Sequence, residues 1–315
     1  MHDSWTTDWT TDDMPSQEGR LAVVTGANSG IGYVTARELA RAGVEVVVTG
    51  RDAGRARDAA ERLAGEVTGA RVRPDLLDLA DLASVTGFAH RMEHGGRPVD
   101  LLVNNAGVMA VPRRRTTRDG LELTVGINHL GHFALTGRLL PLLLRAPAPR
   151  VVTVGSAMAR RPPADLSDLQ STRRYRPLAA YAKSKLAVVL FALELQRRAD
   201  TAGARLTSVV VHPGVSMTGL QRHLARPVRA LGRLALDRVV GQSAEQAALP
   251  SLYAATAGDV VPGGFYGPTG RFEARGAPGP VELPAPAGDA ALAHSLWDIS
   301  ETLTRVRYRW PASPP

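Results

Sequence analysis

Short, continuously apolar segments alternate with amphipathic stretches along most of this 315-residue chain. The apolar segments are rich in β-branched residues, which is typical of parallel strands buried on both faces. Between them, apolar residues recur at helical spacing. The alternation predicts an α/β fold, a doubly wound parallel sheet covered by helices on both sides. The predicted strands are Leu21–Val24, Val44–Val48, Val72–Leu77, Val99–Val103, Arg150–Val154 and Leu206–Val211.

Two regions fall outside this alternation and define the expected domain organisation. Residues 1–18 form a polar lead, and residues 19–270 form a single domain. Residues 258–289 are crowded with Gly and Pro, which predicts little regular structure there. A last helix near residues 289–303 carries apolar residues at helical spacing, so we expect the C-terminal extension, residues 271–315, to pack back on the domain.

A glycine-rich turn lies between the first predicted strand and the first predicted helix, at Thr25–Gly32. Gly26 permits a tight turn, Gly30 lets backbone N–H groups approach a pyrophosphate, and Gly32 allows close helix packing. The following helix N-terminus favours an anion. In this context the pattern predicts a Rossmann-type dinucleotide site rather than an ordinary turn. The predicted contacts are Gly26, Asn28, Ser29, Gly30, Ile31 and Gly32.

The end of the second strand bears on the choice between NAD(H) and NADP(H). A carboxylate there would bind the adenosine ribose and repel a 2′-phosphate. Gly50 leaves room instead, and Arg51 offers a planar cation suited to phosphate. The sequence therefore favours NADP(H), with NAD(H) possible because the Asp52 carboxylate could face the same ribose.

A tyrosine and a lysine, Tyr181 and Lys185, lie one helical turn apart at the start of a long predicted helix. A phenol with a pKa of about 10 is a poor acid–base group at neutral pH, and a nearby cation lowers that pKa. Taken alone, the pair is equally typical of a helix surface. Ser156, however, follows a predicted strand at the edge of the sheet where such folds bind ligands.

These motifs resemble those of the short-chain dehydrogenase/reductase family, in its non-extended, single-domain branch. The order and spacing match from about residue 19 to 220. The segment 128–133 and the insertion between Ser156 and Tyr181 resemble the retinol dehydrogenase/WW-domain oxidoreductase-like subgroup. Segments 264–268 and 297–308 resemble actinobacterial oxidoreductases of that subgroup. The motifs that carry the resemblance are Thr25–Gly32, Asn104–Gly107, Asn128, Ser156, Tyr181 with Lys185, and Pro213–Thr218.

The resemblance implies a role for each matching residue. Tyr181 exchanges a proton with the substrate oxygen, which Ser156 hydrogen-bonds. Lys185 lowers the tyrosine pKa and holds the nicotinamide ribose, and Asn128 positions a water. Asp78 and Leu79 bracket the adenine. The remaining implied cofactor contacts are Asn104, Ala106 and Gly107 after the fourth strand, and Pro213, Gly214, Ser216 and Thr218 after the sixth.

The function predicted in this way is interconversion of a carbonyl and an alcohol on a fairly apolar small molecule. Two alternatives stay open: a non-redox lyase or isomerase with the same Tyr/Ser pair, and a dinucleotide-binding regulatory protein with vestigial chemistry. Residues 215–240 are interpreted either as a lid over the substrate or as an ordinary amphipathic helix. Pairing through the long fourth and fifth helices, as in other family members, implies a homodimer or homotetramer.

Composition excludes several other classes. The chain has no cysteine, so thiolate nucleophiles and iron–sulfur clusters are ruled out. The formal net charge of +8 comes from scattered arginines without interleaved aromatics, which argues against a nucleic-acid groove. A His-x-x-Glu-His pattern at 90–94 and the histidines His129 and His132 are interpreted as non-ligating, so no metal is expected. No transmembrane run or secretory signal is recognised, and a cytoplasmic protein is expected.

Overall fold

The computed structural model describes residues 8–161, 166–214 and 242–311. The predicted lid at 215–240, with the predicted cofactor residues Ser216 and Thr218, lies outside the described residues.

Eight strands form one sheet. They are β1 Leu21–Val24, β2 Glu45–Gly50, β3 Val72–Leu76, β4 Leu101–Asn104, β5 Arg150–Val154, β6 Thr207–Val211, β7 Phe265–Pro268 and β8 Pro278–Pro280. Their spatial order is β3-β2-β1-β4-β5-β6-β7-β8, and only β8 runs antiparallel to its neighbour. The predicted doubly wound α/β fold is therefore confirmed. The strand order reverses at β1, which opens a crevice at the carboxyl ends of β1 and β4 where such folds bind ligands.

Seven helices flank this sheet in the described part of the chain. The helices are α1 Gly30–Arg41, α2 Ala53–Glu66, α3 Leu82–His94, α4 in three consecutive segments (Leu123–Val125, a π-helical turn Gly126–Leu130, and Gly131–Leu143), α5 Pro177–Thr201, α6 Ala244–Thr256 and α7 Ala290–Thr304. Helix α4 begins at Leu123 because the Glu122 carboxylate accepts the Thr124 and Val125 N–H groups, at 2.9 Å each, and so caps it.

The two faces of β1 explain its uniformly apolar sequence. Ala22 and Val24 belong to a buried cluster with α1 and α6, and Leu21 and Val23 belong to a second cluster with α3 and α4. Successive side chains of a strand point to opposite faces, so a strand between two helical layers has to be apolar throughout. This rigid central strand fixes the position of the glycine-rich turn that follows it.

The C-terminal helix α7 packs on α4 and α5. Trp297 is buried, and its ring lies 5.0 Å from that of Phe133 and 4.5 Å from that of Tyr308. The Tyr308 hydroxyl donates to the Phe133 carbonyl at 2.7 Å. The faces of α4 and α5 that carry Phe133 and Phe191 are thus covered by this chain itself, and pairing of subunits through these helices would have to use other faces.

Candidate active site

The glycine-rich turn has the backbone shape that its sequence predicts. Gly26 and Gly30 adopt positive φ angles of 66° and 60°, a region that favours glycine. A Cβ atom at Gly32 would lie only 2.6 Å from the Gly26 carbonyl oxygen. Ser29, the N-cap of α1, makes no side-chain capping bond. The first N–H groups of α1 have no side-chain cap and lie beside a cradle that any Cβ would fill, which suits a pyrophosphate.

A buried threonine fixes this turn against the end of β4. The Thr25 hydroxyl accepts the N–H groups of Asn105 and Ala106, both at 2.9 Å, and the Asn105 amide donates to the Thr25 carbonyl at 2.8 Å. The Asn104 side chain instead donates to Thr136 at 3.1 Å and is buried. The side chain that holds the turn against β4 is therefore that of Asn105, and the predicted cofactor contact of Asn104 stays a prediction.

His132 connects the same threonine to the predicted catalytic helix. Its Nδ1 lies 3.0 Å from the Asn128 carbonyl oxygen and therefore carries the proton, so Nε2 accepts the Thr25 O–H at 2.9 Å. Burial lowers the pKa of His132 to about 4, so the ring is neutral at neutral pH. This histidine is a positioning residue that the sequence analysis missed, because it lies 107 residues from Thr25.

At the adenosine end, Arg51 is exposed directly after β2, beside the buried Gly50. The Asp52 carboxylate accepts the Arg55 N–H at 3.1 Å and so caps α2. This contact gives Asp52 a structural role next to Arg51. The Asp78 carboxylate accepts the Ala80 N–H at 2.9 Å, which orders the loop after β3.

Leu79, the other residue expected beside the adenine, is buried. A Cβ atom at Gly131 of α4 would lie 2.9 Å from the Leu79 Cβ, so this loop packs tightly on α4. Gly107, after β4, borders the predicted catalytic residues. A Cβ atom at Gly107 would lie 3.2 Å from the Asn128 Oδ1 and 3.9 Å from the Lys185 Nζ. Only a residue without a side chain leaves this space open.

Tyr181 and Lys185 lie in the first turns of α5, and both are buried. The Lys185 ammonium donates to the Val154 carbonyl at the end of β5, at 2.7 Å, and lies 5.9 Å from the centre of the Tyr181 ring. Burial lowers the pKa of Lys185 to about 8. Burial also raises the pKa of Tyr181, and a hydrogen bond from Ser156 offsets only part of this. The net direction of the Tyr181 pKa is thus upward and is set by burial, and its lowering by Lys185 stays a prediction.

Asn128 lies in the π-helical turn of α4, and all of its side-chain hydrogen-bonding groups have partners. Its Oδ1 accepts the Val108 N–H at 2.8 Å, and its Nδ2 donates to the Val108 carbonyl at 3.0 Å and to the Ser184 hydroxyl at 2.9 Å. Ser184 in turn donates to the Tyr181 carbonyl at 2.7 Å. The side chain of Asn128 therefore connects α4, the loop after β4 and α5. Ser184 is a further residue that the sequence analysis did not single out.

Ser156 directly follows β5 and caps a short 3-10 turn at Ala157–Arg160. Its hydroxyl accepts the Met158 N–H at 3.2 Å, so its own proton can be donated, and in this structure it points to the Tyr181 phenol. Pro213 and Gly214 follow β6 at the same edge of the sheet, and Gly214 has a φ of 68°. The structure thus brings Asn128, Ser156, Tyr181 and Lys185 to the carboxyl edge of the sheet, beside the glycine cradle.

This fold and this site together define a class of protein, the NAD(P)-dependent oxidoreductases that act on alcohol and carbonyl groups. Residues 20–228 match the family model described as short chain dehydrogenase, and the chain belongs to this family. It is 48% identical over 248 residues to polyprenol dehydrogenase of Mus musculus, covering 78% of this chain and 73% of that protein. It is 38% identical to retinol dehydrogenase 13 of Homo sapiens, covering 90% and 84%.

Solved structures agree with this assignment. The crystal structure of an uncharacterized protein from Mycobacterium paratuberculosis aligns with 42% identity and a TM-score of 0.79, covering 96% of this chain and all of that one. A protein described as an NAD(P)-dependent gluconate 5-dehydrogenase from Beutenbergia cavernae, with bound NADP, aligns with 29% identity and a TM-score of 0.62, covering 79% and 95%. A nicotinamide dinucleotide is therefore the cofactor of this fold. Within the described residues, no helix has both the length and the apolar composition to cross a membrane.

Proposed function

We propose that this protein is an NADP(H)-preferring oxidoreductase that interconverts an aldehyde or ketone and an alcohol on a fairly apolar substrate, with Tyr181 as the proton donor and acceptor. The observation that carries the proposal is the convergence of Tyr181, Ser156 and Lys185 at the carboxyl edge of the sheet, with Tyr181 buried beside the glycine cradle. A phenol of this kind stays protonated at neutral pH and so can donate its proton to a carbonyl oxygen during reduction.

The chain's own residues account for the proton and for the polarisation of the substrate. Ser156 donates its remaining O–H to the substrate oxygen, and Tyr181 supplies the proton that this oxygen needs when it becomes an alcohol. Lys185 places a positive charge near the phenol. Gly26–Gly32 would hold the pyrophosphate, and Lys185 the nicotinamide ribose. The bound dinucleotide supplies or accepts the hydride at the substrate carbon.

The test of Tyr181 is its replacement by phenylalanine, which removes one hydroxyl and keeps the buried ring. We expect turnover with NADPH and an apolar aldehyde to fall about 10²-fold to 10⁴-fold, the usual contribution of a general acid. NADPH binding, measured by its fluorescence, should change little. Tyr253→Phe is the matched control, since this buried phenol belongs to α6 and packs on Trp9. Full activity of Tyr181→Phe would exclude Tyr181 as the proton donor.

Preference for NADP(H) is supported by Arg51, which is exposed directly after β2, and by the role of Asp52 as a helix cap. Removing a charged hydrogen bond costs about 1.5–3 kcal/mol, so Arg51→Ala should weaken NADPH about tenfold or more and leave NADH nearly unchanged. Arg57→Ala, which removes an equally exposed arginine from α2, is the control. Equal weakening of both cofactors would contradict the assignment.

An apolar substrate is supported by the names of the two relatives, since polyprenols and retinol are isoprenoid alcohols. A panel of isoprenoid alcohols, short alcohols and sugar acids, each with NADP+ and NAD+, tests this choice by the absorbance of the reduced nicotinamide. We expect the highest kcat/KM with an isoprenoid alcohol and NADP+. Activity confined to sugar acids would contradict the proposed substrate class, and absence of any nicotinamide reduction would favour a non-redox or regulatory role.

A further inference from the structure

Glu273, in the C-terminal extension, joins two loops of the candidate active site. Its carboxylate accepts two hydrogen bonds from Arg160, at 2.6 and 3.0 Å, and one from His212, at 2.8 Å. Arg160 ends the 3-10 turn that Ser156 caps. His212 directly precedes Pro213 and Gly214. One carboxylate thus connects the loop that carries Ser156 with the loop after β6, which the family resemblance assigns to the cofactor.

The protonation state of His212 is fixed by its two neighbours. Nδ1 accepts the Gly214 N–H at 3.3 Å, so the proton resides on Nε2 and is donated to Glu273. The ring is fully buried. A Cβ atom at Gly267 of β7 would overlap it, so the imidazole packs closely against this strand. The ring that donates to the Glu273 carboxylate is therefore buried and packed closely against β7.

The backbone that carries Glu273 is strained. Phe272 and Glu273 have φ angles of 58° and 51°, a region that residues with side chains rarely adopt and that costs free energy. Such a conformation persists only where its surroundings enforce it. Three contacts enforce this conformation: the paired hydrogen bonds from Arg160, a further bond from Arg160 to the Glu282 carbonyl at 2.6 Å, and the Ala274 carbonyl packed on Gly214.

We propose that Glu273 is a positioning residue of the active site, which acts through Arg160 on the turn that orients the Ser156 hydroxyl. This inference rests on the proposed function. It also assigns a role in the reaction to a segment beyond residue 228, where the match to the family model ends. Loss of the carboxylate removes two of the hydrogen bonds that hold Arg160 and leaves the one to the Glu282 carbonyl, which loosens the turn at Ala157–Arg160 and lets the Ser156 hydroxyl leave the position from which it donates to the substrate oxygen.

The kinetic test compares Glu273→Ala with Glu282→Ala, because Glu282 contributes only its backbone carbonyl to Arg160 and its side chain is exposed. We expect Glu273→Ala to lower kcat about tenfold or more with NADPH Kd changed less than about twofold, and Glu282→Ala to resemble the wild type. In a Ser156→Ala background, Glu273→Ala should lower kcat less than about twofold, because the residue through which it acts is gone. A full tenfold loss in that background, or a normal kcat in the single variant, would overturn the proposal.

A second measurement does not depend on activity and so separates this inference from the proposed function. Hydrogen exchange of the segment 156–160 should be faster by about tenfold in Glu273→Ala and unchanged in Glu282→Ala, since the Met158 N–H is held by Ser156. Unchanged exchange in Glu273→Ala would refute the inference even if the enzyme is active. If the wild type shows no nicotinamide turnover but Glu273→Ala still exchanges faster, the proposed function is refuted. The structural connection from Glu273 to Ser156 is then still supported.

Discussion

Two buried histidines of α4 make the stability of this protein depend on pH in a calculable way. Burial lowers the pKa of His129 to about 3 and that of His132 to about 4, compared with 6.5 for a free histidine. Because the folded pKa is lower, the folded protein binds fewer protons than the unfolded chain when the pH falls below 6.5. Stability is therefore complete above about pH 6.5 and is lost as the pH falls from there toward the folded pKa values.

The magnitude follows from the same values. pH 5 lies about 1.5 units below the pKa of a histidine in the unfolded chain. Each of these units lowers the free energy of unfolding by about 1.36 kcal/mol for each histidine. Each histidine thus removes about 2 kcal/mol, and the two together about 4 kcal/mol, between pH 7.5 and pH 5. The depressed pKa of Asp168, about 2, acts at lower pH and does not enter this range.

The assay is urea unfolding followed by tryptophan fluorescence at pH 7.5 and pH 5. In His129→Gln and in His132→Gln, the difference in unfolding free energy between the two pH values should be smaller than in the wild type by about 2 kcal/mol. His90→Gln, at an exposed position of α3, should keep the wild-type difference. An unchanged difference in both α4 variants would refute the reasoning, whatever their stability at pH 7.5.

Two further predictions concern the lysines. The Lys185 ammonium has a pKa of about 8, so its charge is lost above that value. We therefore expect kcat/KM for carbonyl reduction, measured from pH 6 to 10, to decline above about pH 8. A plateau that extends to about pH 9.5 would contradict a catalytic role of the charge. Lys183 donates to the Asp168 carbonyl and to the Ser171 hydroxyl. Lys183→Met should therefore speed proteolysis of the segment 166–176 by about tenfold with NADPH affinity unchanged, and equal proteolysis rates would contradict this anchoring role.

The parts of the fold that the sequence predicted well have local causes. The glycine-rich turn follows from residues within eight positions of one another, and β1 follows from continuous apolar character. Helix α6 was not predicted, because nine of its 13 residues are buried and no clear amphipathic pattern distinguishes it, while Pro250 lies within it. The π-helical turn at Gly126–Leu130 likewise has no local pattern that marks it.

The predicted catalytic residues come together because the strand order places the ends of β4 and β5 side by side, which the fold class implies. Their supporting contacts could not be predicted in this way. Glu273 is 113 residues from Arg160 and 61 residues from His212, and its carboxylate could pair with any of many arginines in the sequence. Only the packed structure decides which partner it has. The same holds for the bridge from Thr25 through His132 to Asn128.

The two lysines of this arginine-rich chain both lie at the start of α5, and the structure explains each. Both are buried, and each ammonium donates to a backbone carbonyl: Lys185 to Val154 at the end of β5, and Lys183 to Asp168 in the insertion before the helix. A compact ammonium fits such sites, whereas a planar guanidinium with five donors would leave N–H groups buried without partners. The two lysines therefore fix α5 to the sheet and to the insertion, and Tyr181 lies in the turn that both of them hold.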